Sequence, residues 1–137
     1  MISSFEEKVR EYCLNRPLFR PQISLFDIIV TFILIECVTF VIALIFHRIL
    51  GFNFWRCEII INILTLLLLA KPICKTAVKI YQHFASESTR RKCHCMPSCS
   101  EYALMALDKY CWPIALWKIF RRITYTCELP GYKVDYP

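Results

Sequence analysis

The stretch that decides the fold reads Cys93-His94-Cys95-Met96-Pro97-Ser98-Cys99-Ser100-Glu101-Tyr102-Ala103. It combines three cysteines with a helix start, because Ser98 and Glu101 have the S-x-x-E spacing of a capping box. A helix is therefore predicted to begin near Cys99. Its apolar positions recur at steps of three and four and form one face, which consists of Cys99, Tyr102, Ala103, Ala106, Leu107 and Tyr110.

A second helix is predicted directly afterwards, because Trp112-Pro113 breaks the chain and proline suits the first turn of a new helix. Its apolar side chains recur with helical spacing at Ile114, Trp117 and Phe120. The basic side chains on its other faces are Lys118, Arg121 and Arg122. We expect the two helices to form an antiparallel hairpin, in which the second helix ends near Thr126. That end returns to the start of the first helix and brings Cys127 towards Cys93 and Cys99.

Several short motifs between residues 75 and 137 follow a known pattern. They are Tyr81-Gln82, Cys93-x3-Pro97-Ser98-Cys99-Ser100-x-Tyr102-Ala103, Ala106-Leu107, Arg122-Ile123 before Cys127, and the tail Pro130-Gly131-x3-Asp135-x-Pro137. In these motifs the chain resembles the membrane protein insertion efficiency factor family, the YidD-type proteins. The tail differs from the family's usual Pro-Gly-Gly-x-Asp-Pro-Val-Pro, and the linker into Cys127 is one residue longer. The matching positions are Cys93, Pro97, Ser98, Cys99, Ser100, Tyr102, Ala103, Arg122, Cys127, Gly131 and Asp135.

The resemblance implies a function. It implies a non-enzymatic accessory factor that assists the insertion of proteins into the bacterial cytoplasmic membrane. The implied partners are membrane lipids, a YidC-type insertase, the Sec translocon or nascent membrane proteins. No catalytic residue, cofactor or specific nucleic-acid partner is expected.

Composition favours a membrane protein. Hydrophobic residues make up 57% of the chain, whereas an ordinary soluble domain contains roughly 45–50%. The net charge is +6, and a basic face beside a membrane suits anionic lipid and, less specifically, RNA. A merely solvated helix face is the alternative. The candidate lipid-binding cations are Lys75, Lys79, Arg90, Arg91, Lys118 and Arg121.

Two apolar spans predict a transmembrane helical hairpin within residues 25–74. The first, Ile28 to Phe46, can cross a hydrocarbon core of about 30 Å at about 1.5 Å per residue, and Glu36 is its one ionisable side chain. The second, about Cys57 to Cys74, includes Asn62 and is either transmembrane or deeply interfacial. Glu36 is costly in a membrane. It is either protonated and bonded to Asn62 or Thr39, or part of a substrate path.

The charge distribution predicts the orientation. Lysines and arginines before and after the hairpin outnumber Arg48 and Arg56 in its turn, so both termini should be cytoplasmic. Residues 1–24 are predicted to form a basic interfacial segment. Residues 75–137 should form a membrane-associated domain, with an amphipathic helix leading into the Cys-rich helical hairpin. The expected fold class is all-α.

The cysteines leave two further functions open. Six side chains can supply the four ligands of a tetrahedral zinc site, namely Cys93, Cys95, Cys99, Cys111, Cys127 and His94. The candidates among them are Cys93, Cys95, Cys99 and Cys127. Their C-x-C-x3-C spacing lacks the paired C-x2-C knuckles of zinc ribbons, and a cytoplasmic face disfavours disulfides, so buried free thiols are the preferred interpretation. A thiol-based metal-binding or redox protein is the alternative function. A membrane-lytic protein is another, suggested by the basic amphipathic helices.

Overall fold

The computed structural model describes residues 4–127 and 131–137. Over these residues the helices are α1 (Ser4–Asn15), α2 (Leu25–Leu50), α3 (Phe54–Phe84), α4 (Glu87–Arg91), α5 (Cys99–Lys109) and α6 (Trp112–Arg121), and α6 continues into a π-helix (Arg122–Thr126). Two-residue strands β1 (Cys95–Met96) and β2 (Lys133–Val134) complete the fold. The predicted all-α class is confirmed. The chain forms two compact units, Ile23–Ala70 on the one hand, and Met1–Gln22 with Lys71–Pro137 on the other.

The unit Ile23–Ala70 contains the predicted helical hairpin. Helix α2 begins after Ser24, whose hydroxyl accepts a hydrogen bond from the Asp27 amide at 3.2 Å. It ends at Gly51, which has φ +66° and donates its amide to the His47 carbonyl at 3.1 Å. That left-handed conformation favours glycine. Both α2 and α3 are long and apolar enough to cross a membrane.

Helix α3 is longer than the sequence predicts. A separate amphipathic helix was expected from residue 75, but α3 runs without a break from Phe54 to Phe84 and contains Pro72. Proline removes one backbone hydrogen bond and strains the preceding turn. The residues on both sides of Pro72 are good helix formers without a turn signal, so the helix continues through it. The predicted boundary at 74 and 75 is therefore not a helix boundary.

The polar residues of the hairpin form bonds within their own helices. Asn62 donates to the Glu58 carboxylate at 3.0 Å, and the Thr39 hydroxyl donates to the Glu36 backbone carbonyl at 2.9 Å. The expected bond from the Glu36 carboxyl to Asn62 or Thr39 is therefore wrong. Asparagine and glutamate four residues apart on one helix are neighbours, so Asn62 finds a closer partner in α3 itself.

Helix α5 begins as predicted. The Glu101 amide donates to the Ser98 hydroxyl at 3.3 Å, and the Ser98 amide donates to the Glu101 carboxylate at 2.8 Å, which completes the capping box. The buried face of α5 carries Tyr102, Ala103, Ala106 and Leu107. Tyr102, Ala106 and Leu107 pack against Ala115 of α6 to form the core of this unit.

Helix α6 is rotated relative to the sequence-based prediction. Its large apolar side chains Ile114, Trp117 and Phe120 are exposed, Trp117 to 66%. The buried residue of α6 is Ala115, and Arg122 at the start of the π-helix is also buried. Small side chains let two helices approach closely, and Ala115 packs with Ala106 in the core. With Ala115 on the packed side of α6, Ile114, Trp117 and Phe120 lie on its exposed side. The sequence allows two roles for Trp117, a place in the hairpin core or an interfacial anchor, and its exposure excludes the first.

The N-terminal segment belongs to the same unit as residues 71–137. Val9 and Cys13 of α1 are buried, and α1 packs against both strands. The strands are parallel, with Cys95 beside Lys133. The Lys133 amide donates to the His94 carbonyl at 3.2 Å, and the Asp135 amide donates to the Met96 carbonyl at 3.0 Å. A segment predicted to lie along the membrane surface is thus packed against the C-terminal residues.

Candidate functional site: a cysteine corner beside an apolar groove

Four cysteines meet at one end of α5, and we call this cluster the cysteine corner: Cys93, Cys95, Cys99 and Cys127. The sulfur of Cys99 lies 3.4 Å from that of Cys93 and 3.1 Å from that of Cys127. The Cys93 and Cys127 sulfurs are 3.9 Å apart, and Cys95 is 3.9 Å from Cys127. The predicted approach of Cys127 to Cys93 and Cys99 is confirmed. All nine cysteines are free thiols.

The π-helix places the last of these sulfurs. In an α-helix, side chains five residues apart point about 140° away from each other. Here the Cys127 amide donates to the Arg122 carbonyl at 2.9 Å, and the wider turn of a π-helix brings residues five apart to nearly the same side. Arg122 and Cys127 can therefore both face the start of α5.

The thiols of the corner differ in acidity because they touch. The pKa of Cys93 is held well below its ordinary value, chiefly because its thiolate accepts a hydrogen bond from the Cys99 thiol. The same hydrogen bond raises the pKa of Cys99. Burial, and next the neighbouring Cys127, raise the pKa of Cys95 to about 12. One negative charge is thus favoured at Cys93, and a second thiolate beside it is disfavoured.

Arg122 connects three residues of the sequence motif, namely Pro97, Tyr102 and Asp135. Its side chain is 1% exposed, and its guanidinium donates to the carbonyl of Pro97 and to both the carbonyl and the carboxylate of Asp135. The guanidinium carbon also lies 4.1 Å from the centre of the Tyr102 ring. Residues from the cysteine loop, α5 and the tail are therefore held by one cation.

Arg16 holds the N-terminal segment to residues 90–95. This structural role was not predicted from the sequence. It is 2% exposed. It donates to the Cys95 carbonyl at 3.5 Å and to the Arg90 carbonyl. Its sequence position, in a basic stretch ahead of an apolar span, indicates only orientation in the membrane. Nothing in the pattern distinguishes it from Arg20, which forms an exposed ion pair with Glu87 at 3.8 Å.

Several of the candidate lipid-binding cations form contacts within the protein, and some are exposed to solvent. Arg90 is buried and donates to the Gln82 carbonyl at 3.1 Å, and Arg91 donates to the Leu14 carbonyl at 2.5 Å. Lys75 pairs with Asp108, whose pKa this ammonium lowers by its hydrogen bond. Lys118 lies 4.5 Å from the centre of the Tyr110 ring. Three of the candidates, Lys79, Arg91 and Arg121, are exposed.

An apolar groove of about 610 Å³ runs past the cysteine corner. Its apolar lining includes Leu18, Ala77, Val78, Ala103, Ile119 and Ile123. Cys93, Cys99 and Cys127 contribute to the same surface, as do Ser98 and Ser100 of the cysteine motif. Three cations, Arg16, Arg90 and Lys92, also line it. The groove can accept an elongated apolar ligand that carries a polar or anionic group at one end.

The tail completes the motif. Gly131 has φ +101°, a conformation that favours glycine, and nothing lies within 4 Å of the position where a Cβ would be added. Pro130 lies outside the described residues. Asp135 accepts from Arg122, as described above, and the Lys109 ammonium donates to the Pro137 carbonyl at 2.7 Å. The tail is thereby fixed to the π-helix and to the end of α5.

Comparison with known proteins identifies a family over the C-terminal half of the chain. Residues 70–135 match the YidD family, described as "Putative membrane protein insertion efficiency factor". A protein of Desulfitobacterium hafniense (strain Y51) with the same description is 39% identical over 46 residues, which cover 34% of this chain and 67% of the relative. An uncharacterized 7.9 kDa protein of Haemophilus phage HP1, from the int-C1 intergenic region, is 36% identical over 64 residues, 44% of this chain and 87% of the relative. No solved structure matches the chain.

Proposed function

Since this chain belongs to the YidD family of membrane protein insertion efficiency factors, we propose that it is a non-enzymatic accessory factor that assists insertion of proteins into the bacterial cytoplasmic membrane. Family membership is the observation that carries the proposal. Two features of the unit formed by Met1–Gln22 and Lys71–Pro137 support it, namely the exposed apolar stripe of α6 and the apolar groove.

The stripe of α6 suits attachment at a lipid interface. Ile114, Trp117 and Phe120 are exposed on one side of a helix whose other side is packed. Transfer of one such side chain out of water contributes roughly 1.5–3 kcal/mol, and tryptophan is favoured at the boundary between lipid and water. Exposed Arg121 on the same helix adds attraction to anionic lipid. The helix would lie in the interface with its apolar side in the acyl region.

The groove suits one side of a nascent transmembrane helix. A helix of a partly inserted protein exposes apolar side chains that neither water nor lipid headgroups solvate well. Walls such as Val78, Ile119 and Ile123 offer apolar contacts, and the exposed Lys92 is placed to bind carbonyls at the end of such a helix. The groove would hold the segment until the insertase or translocon passes it into the bilayer.

We infer that both termini are cytoplasmic. The basic residues flanking the hairpin support this orientation, and labelling tests it. In intact spheroplasts of a Cys57→Ala strain, a membrane-impermeant maleimide should label a cysteine at Asn53 and leave one at Ser88 unmodified. Both positions are exposed. Labelling at Ser88 with protection at Asn53 would reverse the proposed orientation.

Site-specific crosslinking tests the groove. A photo-crosslinking amino acid at Ile123, in the groove, should capture ribosome-arrested nascent membrane proteins in cells. The same amino acid at Met105, which is exposed on α5 and is not part of the groove lining, serves as the matched control. Equal capture from both positions would reject the groove. Adducts with the YidC-type insertase or the Sec translocon would identify the machinery that receives the segment.

Depletion of the protein tests the function as a whole. Pulse-labelled inner-membrane proteins should become protease-protected more slowly in depleted cells, and expression of the wild-type chain should restore their rate. Secreted soluble proteins provide the control. An unchanged insertion rate across a broad panel of inner-membrane proteins would refute the proposed role.

A further inference from the structure

The cysteine corner has the composition of a metal site. Its four sulfurs come from three parts of the chain, namely the segment before α5, the first residue of α5 and the residue that follows the π-helix. The sulfurs of Cys93, Cys99 and Cys127 lie within 4.8 Å of one another. The fourth, Cys95, is buried and touches Cys127. Side chains so distant in sequence converge here without forming a covalent bond.

The distances fit tetrahedral zinc. A zinc–sulfur bond is about 2.3 Å long, so two ligands of a tetrahedral site are separated by about 3.8 Å. The measured sulfur–sulfur distances are 3.1, 3.4, 3.9 and 3.9 Å. A disulfide needs about 2.05 Å. Movements of up to about 0.7 Å would bring the three closest sulfurs to this spacing around one ion.

We propose that Cys93, Cys99 and Cys127 bind one Zn²⁺ ion and that Cys95 completes a four-sulfur site. Tetrahedral thiolate ligands select zinc over the oxygen-preferring cations. On binding, each thiol proton is released to solvent and a zinc–sulfur bond replaces the sulfur–hydrogen bond, so no oxidant or reductant is consumed. Four thiolates and one zinc ion carry a net charge of −2.

The corner contains cations that can balance this charge. Arg122 and Arg16 are both buried, and Arg16 donates to the Cys95 carbonyl at 3.5 Å. Arg122 donates to the carbonyl of Pro97, two residues before Cys99. Each guanidinium also has a buried Nε without a hydrogen-bond partner among the described residues. Buried arginines beside a thiolate-rich ion are therefore electrostatically favourable.

Zinc at this position would stabilise the walls of the groove. Cys93, Cys99 and Cys127 all line it, and the ion would join the start of α5 to the end of the π-helix. It would fix the distance between two groove walls and stabilise a unit that has few large side chains in its core. The ion has a structural role, in keeping with a four-ligand site that leaves no open position.

Metal content is the first test. The full-length chain is purified in mild detergent under reducing conditions, without metal-affinity steps. It should contain about one zinc per chain by inductively coupled plasma mass spectrometry. Cys99→Ser should reduce zinc at least tenfold. Cys111→Ser removes an exposed cysteine outside the corner and should keep the wild-type content. Wild-type protein that holds less than a tenth of an equivalent after incubation with zinc and desalting would overturn the proposal.

Cobalt substitution tests the site in the wild-type chain, and one variant then counts the ligands. Wild-type chain stripped of zinc and titrated with Co²⁺ should develop a thiolate-to-cobalt charge-transfer band that saturates at one equivalent. Cys95→Ser should keep the band and lower its intensity by about a quarter, since three thiolates remain of four. No band, or a thiol count that reveals a disulfide in the corner, would overturn the site. Neither result depends on insertion activity, so this proposal and the proposed function fail separately.

Discussion

The guanidinium of Arg122 lies against the ring of Tyr102, 4.1 Å from its centre, and the same group binds the cysteine loop and the tail through Pro97 and Asp135. One buried side chain therefore determines where three separate segments meet. Arginine suits this place because its planar group can stack on an aromatic ring and donate at its edge at the same time.

Arg122→Lys should destabilise the unit formed by Met1–Gln22 and Lys71–Pro137. A lysine ammonium can keep one of these bonds but not the stacked and forked arrangement. Buried hydrogen bonds from a charged group contribute about 1.5–3 kcal/mol, which corresponds to a decrease of roughly 10 °C in the thermal midpoint of a unit this size. Tryptophan fluorescence in detergent measures the midpoint. Arg121→Lys, at an exposed neighbour, is the control, and equal midpoints for the two variants would contradict the role of Arg122.

Arg16→Gln should release the N-terminal segment. The variant loses the bonds to the carbonyls of Cys95 and Arg90, and a loss of about 1.4 kcal/mol increases the open population about tenfold. Cleavage at Arg10 by limiting trypsin should accelerate by that factor, because proteolysis follows the open population. Arg20→Gln removes only an exposed ion pair with Glu87, worth at most about 1 kcal/mol. If both variants resist trypsin as wild type does, Arg16 does not hold the segment.

Ser98→Ala should weaken the start of α5. The substitution removes the hydroxyl that accepts from the Glu101 amide, and loss of such a cap costs about 1 kcal/mol. Ser98→Thr keeps a hydroxyl at the same position and should recover most of the loss. Thermal midpoints again provide the comparison. A threonine variant no more stable than the alanine variant would show that the cap is not the cause.

Deletion of Tyr125 should convert the π-helix into α-helix. Tyr125 is 69% exposed, and its removal places Arg122 and Cys127 four residues apart, a spacing at which an α-helix keeps both on one face. We expect the shortened chain to fold with a thermal midpoint close to wild type. Alanine insertion after Tyr125 is the matched control, because six residues cannot align in either helix. If the deletion variant unfolds while the insertion variant remains folded, this explanation of the π-helix is refuted.

The helices of this chain could be predicted from local patterns, and so could the convergence of three cysteines. The capping box at Ser98, the proline at the start of α6 and the apolar spans each depend on neighbouring residues alone. The approach of Cys127 to Cys99 follows from helix length and a short connection. These are properties that a periodic sequence specifies before any tertiary contact forms.

The orientation of α6 and the burial of two arginines could not be predicted in the same way. Sequence periodicity identifies an apolar face without indicating whether protein or lipid covers it, and Trp117 illustrates the difference. Arg122 and Arg16 are charged, and charge ordinarily predicts exposure. Their burial depends on carbonyl groups supplied by Pro97, Cys95 and Arg90, which are brought near only by the complete fold.

The contacts of Arg16 bear on the order of events during synthesis. Its two acceptor carbonyls lie 74 and 79 residues further along the chain. At about 5–20 residues per second, a ribosome needs about 4–15 s to add the first of them after Arg16. The apolar helices α2 and α3 are synthesised during that interval, while Arg16 still lacks both of its acceptor carbonyls. The nascent chain therefore passes through a stage at which its first positive charges are free to direct membrane topology, before folding encloses one of them.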